Sequence, residues 1–205
     1  MKKETLAILE DLFVRYPDIN SCQEDIKEAF EILHQCFKNG HRLYTCGNGG
    51  SASDSEHMVG ELVKSFKKHR KTPAKLENQL DKETLNGLEE GYPAMSLCSQ
   101  MAFITAYSND HDADFIFAQQ VNVYGQKDDV LFAITTSGNS KNCVLAAKVA
   151  KALGLKVIAL TGRDGGEIKA YSDVAIVVPE KETYKIQERH LPIYHVLCAM
   201  IEEEE

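Results

Sequence analysis

At 205 residues the chain is long enough for one domain with a full hydrophobic core, and 43% hydrophobic with 26% charged residues is an ordinary globular balance. A formal net charge of −8 excludes a broadly basic nucleic-acid-binding surface, and no apolar run approaches the length of a membrane span. The six cysteines (22, 36, 46, 98, 143 and 198) form no C-x-x-C pair. They lie largely in apolar patterns, as small buried residues of a reducing, cytoplasmic compartment do.

Residues 4–15 and 21–39 carry apolar side chains at helical spacing: Leu6, Leu9 and Phe13, then Ile26, Phe30, Leu33 and Phe37. Ser21 is the expected N-cap of the second helix and Gly40 its stop. This helical pair at 1–40 packs either on a sister subunit or on its own sheet. From residue 42 the pattern alternates between strand and helix. Strand 42–46 leads into helix 51–66, and a polar stretch at 67–92 reads as an insert. Strand 94–98, helices 99–108 and 113–124, strand 129–135, helix 140–153, strands 155–161 and 173–178 and helix 183–203 follow. Such alternation predicts a single α/β domain over 1–205, with a doubly wound parallel sheet and helices on both faces. The basic run Lys67–Lys71 is expected to be a solvated loop, and the Glu202–Glu205 tail a frayed, solvated end.

Two strands end in similar turns. Residues 42–46 open into Gly47-Asn-Gly-Gly-Ser51, and 130–135 into Thr136-Ser-Gly-Asn-Ser140, each followed by a helix. First-turn N–H groups of a helix lack intrahelical partners, and the helix dipole adds positive character there. Glycine permits close approach of a ligand, and Ser and Thr add donors. Two such loops on neighbouring strands describe a cleft for a phosphorylated small molecule. The first loop also matches G-x-G-x-x-A (Gly47, Gly49, Ala52), but the next strand ends at Leu97-Cys98-Ser99, without the acid a dinucleotide ribose requires.

His57 and Glu61, at i and i+4, share a helix face just beyond the first loop, a spacing suited to a metal ion or to acid/base chemistry. By itself the spacing also describes a surface pair. The last helix carries Gln187, Glu188, His190 and His195, with Pro192 expected to bend it or loosen a turn. Asn109-Asp110 reads as a turn.

The strings CGNGGSASDSEHMVGEL, SND, TTSGNS, LTGRDGGEI and YKIQERHLPIYH resemble the sugar-isomerase (SIS) domain superfamily, and within it the phosphoheptose isomerases, from about residue 40 to the C-terminus. The resemblance implies a flavodoxin-like fold with a five-stranded sheet and a homotetramer with active sites shared between subunits. It also implies conversion of sedoheptulose 7-phosphate to D-glycero-D-manno-heptose 7-phosphate through an enediol. By the same resemblance Asn48, Gly49, Gly50, Ser51, Asn109, Asp110 and Gln187 line the substrate, and Thr135, Thr136, Ser137 and Ser140 hold its phosphate. Glu61 is the implied base and His195 the acid. One zinc ion per subunit falls to His57, Glu61, Gln187 and His195. No nucleic acid or membrane is an expected partner. Three departures stand out: the length of 67–92, Thr135 where the phosphate loop usually opens on Ser, and Glu182-Thr-Tyr-Lys185 where an acid usually lies closer to Gln187. The rival reading is a non-catalytic relative of the replication-initiator-binding kind, which tends to lose the last-helix histidine. Another phosphosugar isomerase is the nearer alternative.

Overall fold

The computed structural model describes residues 1–205. Its strands β1 (Leu43–Gly47), β2 (Ala94–Ser96), β3 (Val130–Ile134), β4 (Lys156–Thr161) and β5 (Val174–Val177) form one parallel sheet in the order β2-β1-β3-β4-β5. This is the flavodoxin-like doubly wound order, and its direction of winding reverses between β1 and β3. These two strands pair from Leu43 opposite Val130 to Gly47 opposite Ile134, so their C-terminal loops emerge side by side.

The strands are apolar runs because both faces are covered. Val130, Phe132, Ile134, Ile158 and Leu160 point into one core, and Leu131, Ala133, Val157 and Ala159 into the other. The helices are α1 (Lys3–Arg15), α2 (Gln23–Lys38), α3 (Gly50–Val63), α4 (Lys82–Asn86), α5 (Met101–Asp110), α6 (Ile116–Tyr124), α7 (Lys141–Leu153) and α8 (Thr183–Glu204). The first core takes residues from α1, α2, α3 and α8, and the second from α6 and α7. Leu9, Leu12, Ile26, Phe30 and Leu33 are fully buried there, so the N-terminal pair covers its own sheet. No helix is long and apolar enough to cross a membrane.

Several local expectations are corrected. Ser21 is not the N-cap of α2: a 3-10 turn at Pro17–Cys22 feeds the helix directly, and Cys22 occupies the cap without a side-chain bond. The C-terminus is not frayed. Helix α8 runs to Glu204, whose carboxylate accepts the Lys2 N–H at 2.8 Å and the Thr5 hydroxyl at 2.7 Å. The 67–71 run is not wholly solvated either, because Arg70 pairs with the buried Glu202. Asn109 and Asp110 close α5 rather than forming a turn. Pro192 lies inside the continuous α8, where its missing N–H leaves the Glu188 carbonyl without the usual i+4 donor, as expected of a loosened turn.

Helix α5 is apolar in composition yet has no buried residue, and Met101 is 66% exposed.

Candidate functional site

The site begins beneath the first loop. The Ser55 hydroxyl donates to Thr45 Oγ1 (2.7 Å) and lies 3.2 Å from Ser96 Oγ, while Thr45 Oγ1 donates to the Ser55 carbonyl (3.1 Å). This buried hydroxyl cluster fastens the start of α3 to β1 and β2. Helices α3 and α8 then run side by side in the same direction. Gln187 meets Gly50, Tyr194 and His195 meet His57, and Cys198 Sγ approaches the Met58 carbonyl. Gly50 lets the Gln187 amide lie directly against the backbone of the first loop. A Cβ there would lie 2.5 Å from Gln187 Nε2.

At the middle of the pair, His57 Nε2 lies 3.2 Å from Glu61 Oε1 and 3.5 Å from His195 Nε2. Lys64 Nζ donates to Glu61 Oε2 at 2.5 Å. Burial acts to raise the Glu61 pKa, but the Lys64 hydrogen bond and charge, with His57 beside them, outweigh it and hold the carboxyl below its ordinary range. Burial and the neighbouring His57 lower His195, against the pull of Glu61. At neutral pH the site therefore presents an ionised carboxylate beside a largely neutral imidazole.

Tyr194 is fully buried, and its hydroxyl donates to Asp54 Oδ1 (3.3 Å) while lying 2.9 Å from His57 Nδ1. A phenol has one proton to give. The phenol therefore serves one of Asp54 and His57 at a time, and the direction of the His57 contact follows the imidazole tautomer.

His57, Glu61 and His195 do not close into a ready-made three-donor metal centre. Their chemistry nevertheless suits zinc. Two imidazoles and a carboxylate are common zinc ligands, and the 3.2 and 3.5 Å spacings bracket the roughly 3.3 Å expected between ligands of a tetrahedral ion. Gln187 stands apart, its amide against Gly50. His190 belongs to the core rather than the site. It is buried with Nε2 3.2 Å from the Thr161 carbonyl, and burial lowers its pKa to about 4.

The second loop lies on β3. Thr135 Oγ1 and Ser140 Oγ are 3.0 Å apart at the start of α7, and Ser137 Oγ accepts the Asn139 N–H. Gly138 has φ +67°, and a Cβ there would strike the Gly165 carbonyl, so the loop seats directly on Gly165-Gly166. Reciprocal 2.9 Å amide bonds between Asn48 and Asn142 tie the two loops together. Gly49 and Ser51 lie in this same first turn, beside Asn48. Asn109 and Asp110 are exposed at the end of α5, bonded side chain to side chain at 2.8 Å, and no hydrogen bond or ion pair joins them to either loop or to the histidines. Among the cavities of the fold, one of about 830 Å³ lies among 67–92 and the C-terminus, and another of about 450 Å³ runs from α1 to His195. Neither is lined by the Gly47–Ser51 or Thr135–Ser140 loops.

The SIS domain family model matches residues 18–162. The phosphoheptose isomerase of Helicobacter pylori (strain P12) is 40% identical over 202 residues, covering 98% of this chain and 94% of that protein. The chain belongs to the phosphoheptose isomerase family of SIS-domain proteins. Two solved phosphoheptose isomerase structures agree with that membership. The one from Neisseria gonorrhoeae has a TM-score of 0.74 at 33% identity, covering 98% of this chain and 94% of its own. The one from Francisella tularensis has a TM-score of 0.78 at 33% identity, covering 92% and 91%.

Sequence reasoning missed Asp54, Tyr194, Phe66, Arg70 and Glu202. Asp54 and Tyr194 lie inside the motif strings and Arg70 inside the basic run, while Glu202, seven residues beyond His195, falls on nearly the same face of α8.

Proposed function

We propose that this chain is an aldose–ketose isomerase that converts sedoheptulose 7-phosphate to D-glycero-D-manno-heptose 7-phosphate. The observation that carries the reading is the meeting of Glu61 and His57 on α3 with His195 on α8, one to two turns from a phosphate-type loop pair, in a member of the phosphoheptose isomerase family.

In this mechanism Thr135, Thr136, Ser137 and Ser140 bind the phosphate. Asn48, Gly49, Gly50, Ser51 and Gln187 line the sugar. Glu61 removes a proton from C1, and the C2 carbonyl oxygen gains a proton as the cis-enediol forms. Return of a proton to C2 and loss of the O1 proton leave the aldehyde at C1. His195 serves the oxygens as a neutral hydrogen-bond donor and proton carrier. A carboxylate base paired with a neutral imidazole is a known solution to enediol chemistry. Zinc held by His57, Glu61 and His195 would supply Lewis-acid polarisation of the sugar oxygens. Metal analysis of protein purified without chelator is expected to find one zinc per chain, and its absence would remove this element.

The site is completed between copies in a cytoplasmic homotetramer. Support comes from the uncovered apolar residues of α5 and from the isolation of Asn109 and Asp110 at its end, away from this chain's own loops and histidines. The deciding assay gives purified protein ketose phosphates of five, six and seven carbons. Turnover of the seven-carbon substrate alone supports the proposal. Turnover of a shorter one only would reassign the substrate, and inertness towards all would favour the non-catalytic relative.

A further inference from the structure

Glu202 is 7% exposed, yet its carboxylate is filled by four donors: the N–H groups of Phe66 (2.9 Å), Lys67 (2.6 Å) and Lys68 (2.9 Å), and Arg70 Nε (3.1 Å). The Arg70 guanidinium reaches in the other direction as well. Nη1 donates to the Leu62 carbonyl at 2.6 Å and Nη2 to the Glu61 carbonyl at 3.4 Å, in the last turn of α3 where carbonyls lack intrahelical partners. Phe66, whose N–H the carboxylate holds, lays its ring 5.4 Å from the His195 ring. The far end of the 67–92 segment returns to the same point. The Tyr92 ring lies 4.5 Å from the Arg70 guanidinium, its hydroxyl donates to the Ile201 carbonyl, and Glu90 accepts a further Arg70 N–H through its carbonyl.

We infer that the Arg70–Glu202 pair is a positioning device for proton transfer, holding Glu61 through its carbonyl and His195 through Phe66, and that it makes residues 67–92 part of the active-site framework. The inference rests on the isomerase reading for its kinetic consequence alone. The physical reason is the shape of arginine. Its planar fork spans the Glu202 carboxylate and two α3 carbonyls at once, which a lysine ammonium at a single point does not do. Neither Arg70 nor Glu202 touches the substrate. Their contribution is the placement of groups that do, and a displacement of about 1 Å there costs on the order of 10²-fold in rate.

The test is Arg70→Lys, which keeps a cation beside Glu202 but removes the span to α3. Melting temperature, kcat, KM and the 1H NMR positions of the His195 ring protons, which feel the Phe66 ring current, are measured together. The expected result is a melting temperature within a few degrees of wild type, KM within about twofold, kcat lower by roughly 10- to 100-fold, and displaced His195 resonances. Wild-type kcat, or unmoved His195 resonances, overturns the inference. Should Arg70→Lys fail to fold, Glu202→Gln keeps the Phe66 ring and the side-chain volume while weakening the hold on Arg70 and on the Phe66 N–H, and carries the same readouts, with the same outcomes deciding. If the wild-type protein isomerises no ketose phosphate, the functional reading fails separately, and the His195 resonances still decide whether the pair positions that ring.

Discussion

Glu61→Gln is expected to lower kcat for sedoheptulose 7-phosphate by about 10³-fold, within the range that general acid–base catalysis supplies. The substitution conserves volume and leaves α3 and its hydroxyl anchors in place, so the melting temperature should change little. It removes the ionised carboxylate that lies directly against His57. KM should move much less than kcat, because phosphate binding belongs to the Thr135–Ser140 loop, and steady-state kinetics separate the two. A loss smaller than about tenfold would take Glu61 out of the role of base. Lys64 sharpens the expectation: its 2.5 Å contact keeps the carboxylate ionised before substrate arrives, at some cost in basicity.

The largest stability effect is expected at Glu202. Glu202→Ala strands the Arg70 guanidinium and three backbone N–H groups in a region where both side chains are less than a tenth exposed. Breaking a buried pair on one side costs about 3–5 kcal/mol, which for a chain of this size lowers the melting temperature by roughly 10 °C. Acid should produce the same loss reversibly. Burial acts to raise the Glu202 pKa, but the three N–H donors and Arg70 outweigh it and hold the carboxyl below its ordinary range. A carboxyl whose folded pKa lies below its unfolded value stabilises the fold fully above the unfolded value, about 4.3, and loses that contribution as pH falls through the folded one. The gap in melting temperature between wild type and Glu202→Gln should therefore be constant from neutral pH down to about 5 and close below about 4.3. A gap unaffected by acid would show that the carboxylate charge is not what holds this region.

Much of the site was legible because it is local in sequence. The i, i+4 spacing of His57 and Glu61 follows from helical geometry once α3 is recognised, and each loop is a strand end followed by a helix start. The corrections at the two charged segments share a cause. The Glu202–Glu205 tail and the basic run at 67–71 look solvated from their neighbours in sequence, and their actual roles depend on residues far away in the chain. Glu202 is polar by composition and buried because the backbone of 66–68 and Arg70 arrive from about 130 positions earlier to satisfy it. Asn109-Asp110 has turn composition, yet α5 extends through it.

The sequence by itself determined the parallel α/β order, the two glycine- and hydroxyl-rich loops and the residue types available for proton transfer, since periodicity and turn chemistry act over a few residues. Only the tertiary structure decided which side chains meet. The parallel packing of α3 against α8 joins His57 to His195, sets Tyr194 and Asp54 behind them, and places Arg70 and Glu202 at the far end. Those contacts depend on the direction and register of two helices more than a hundred residues apart, which no local pattern encodes.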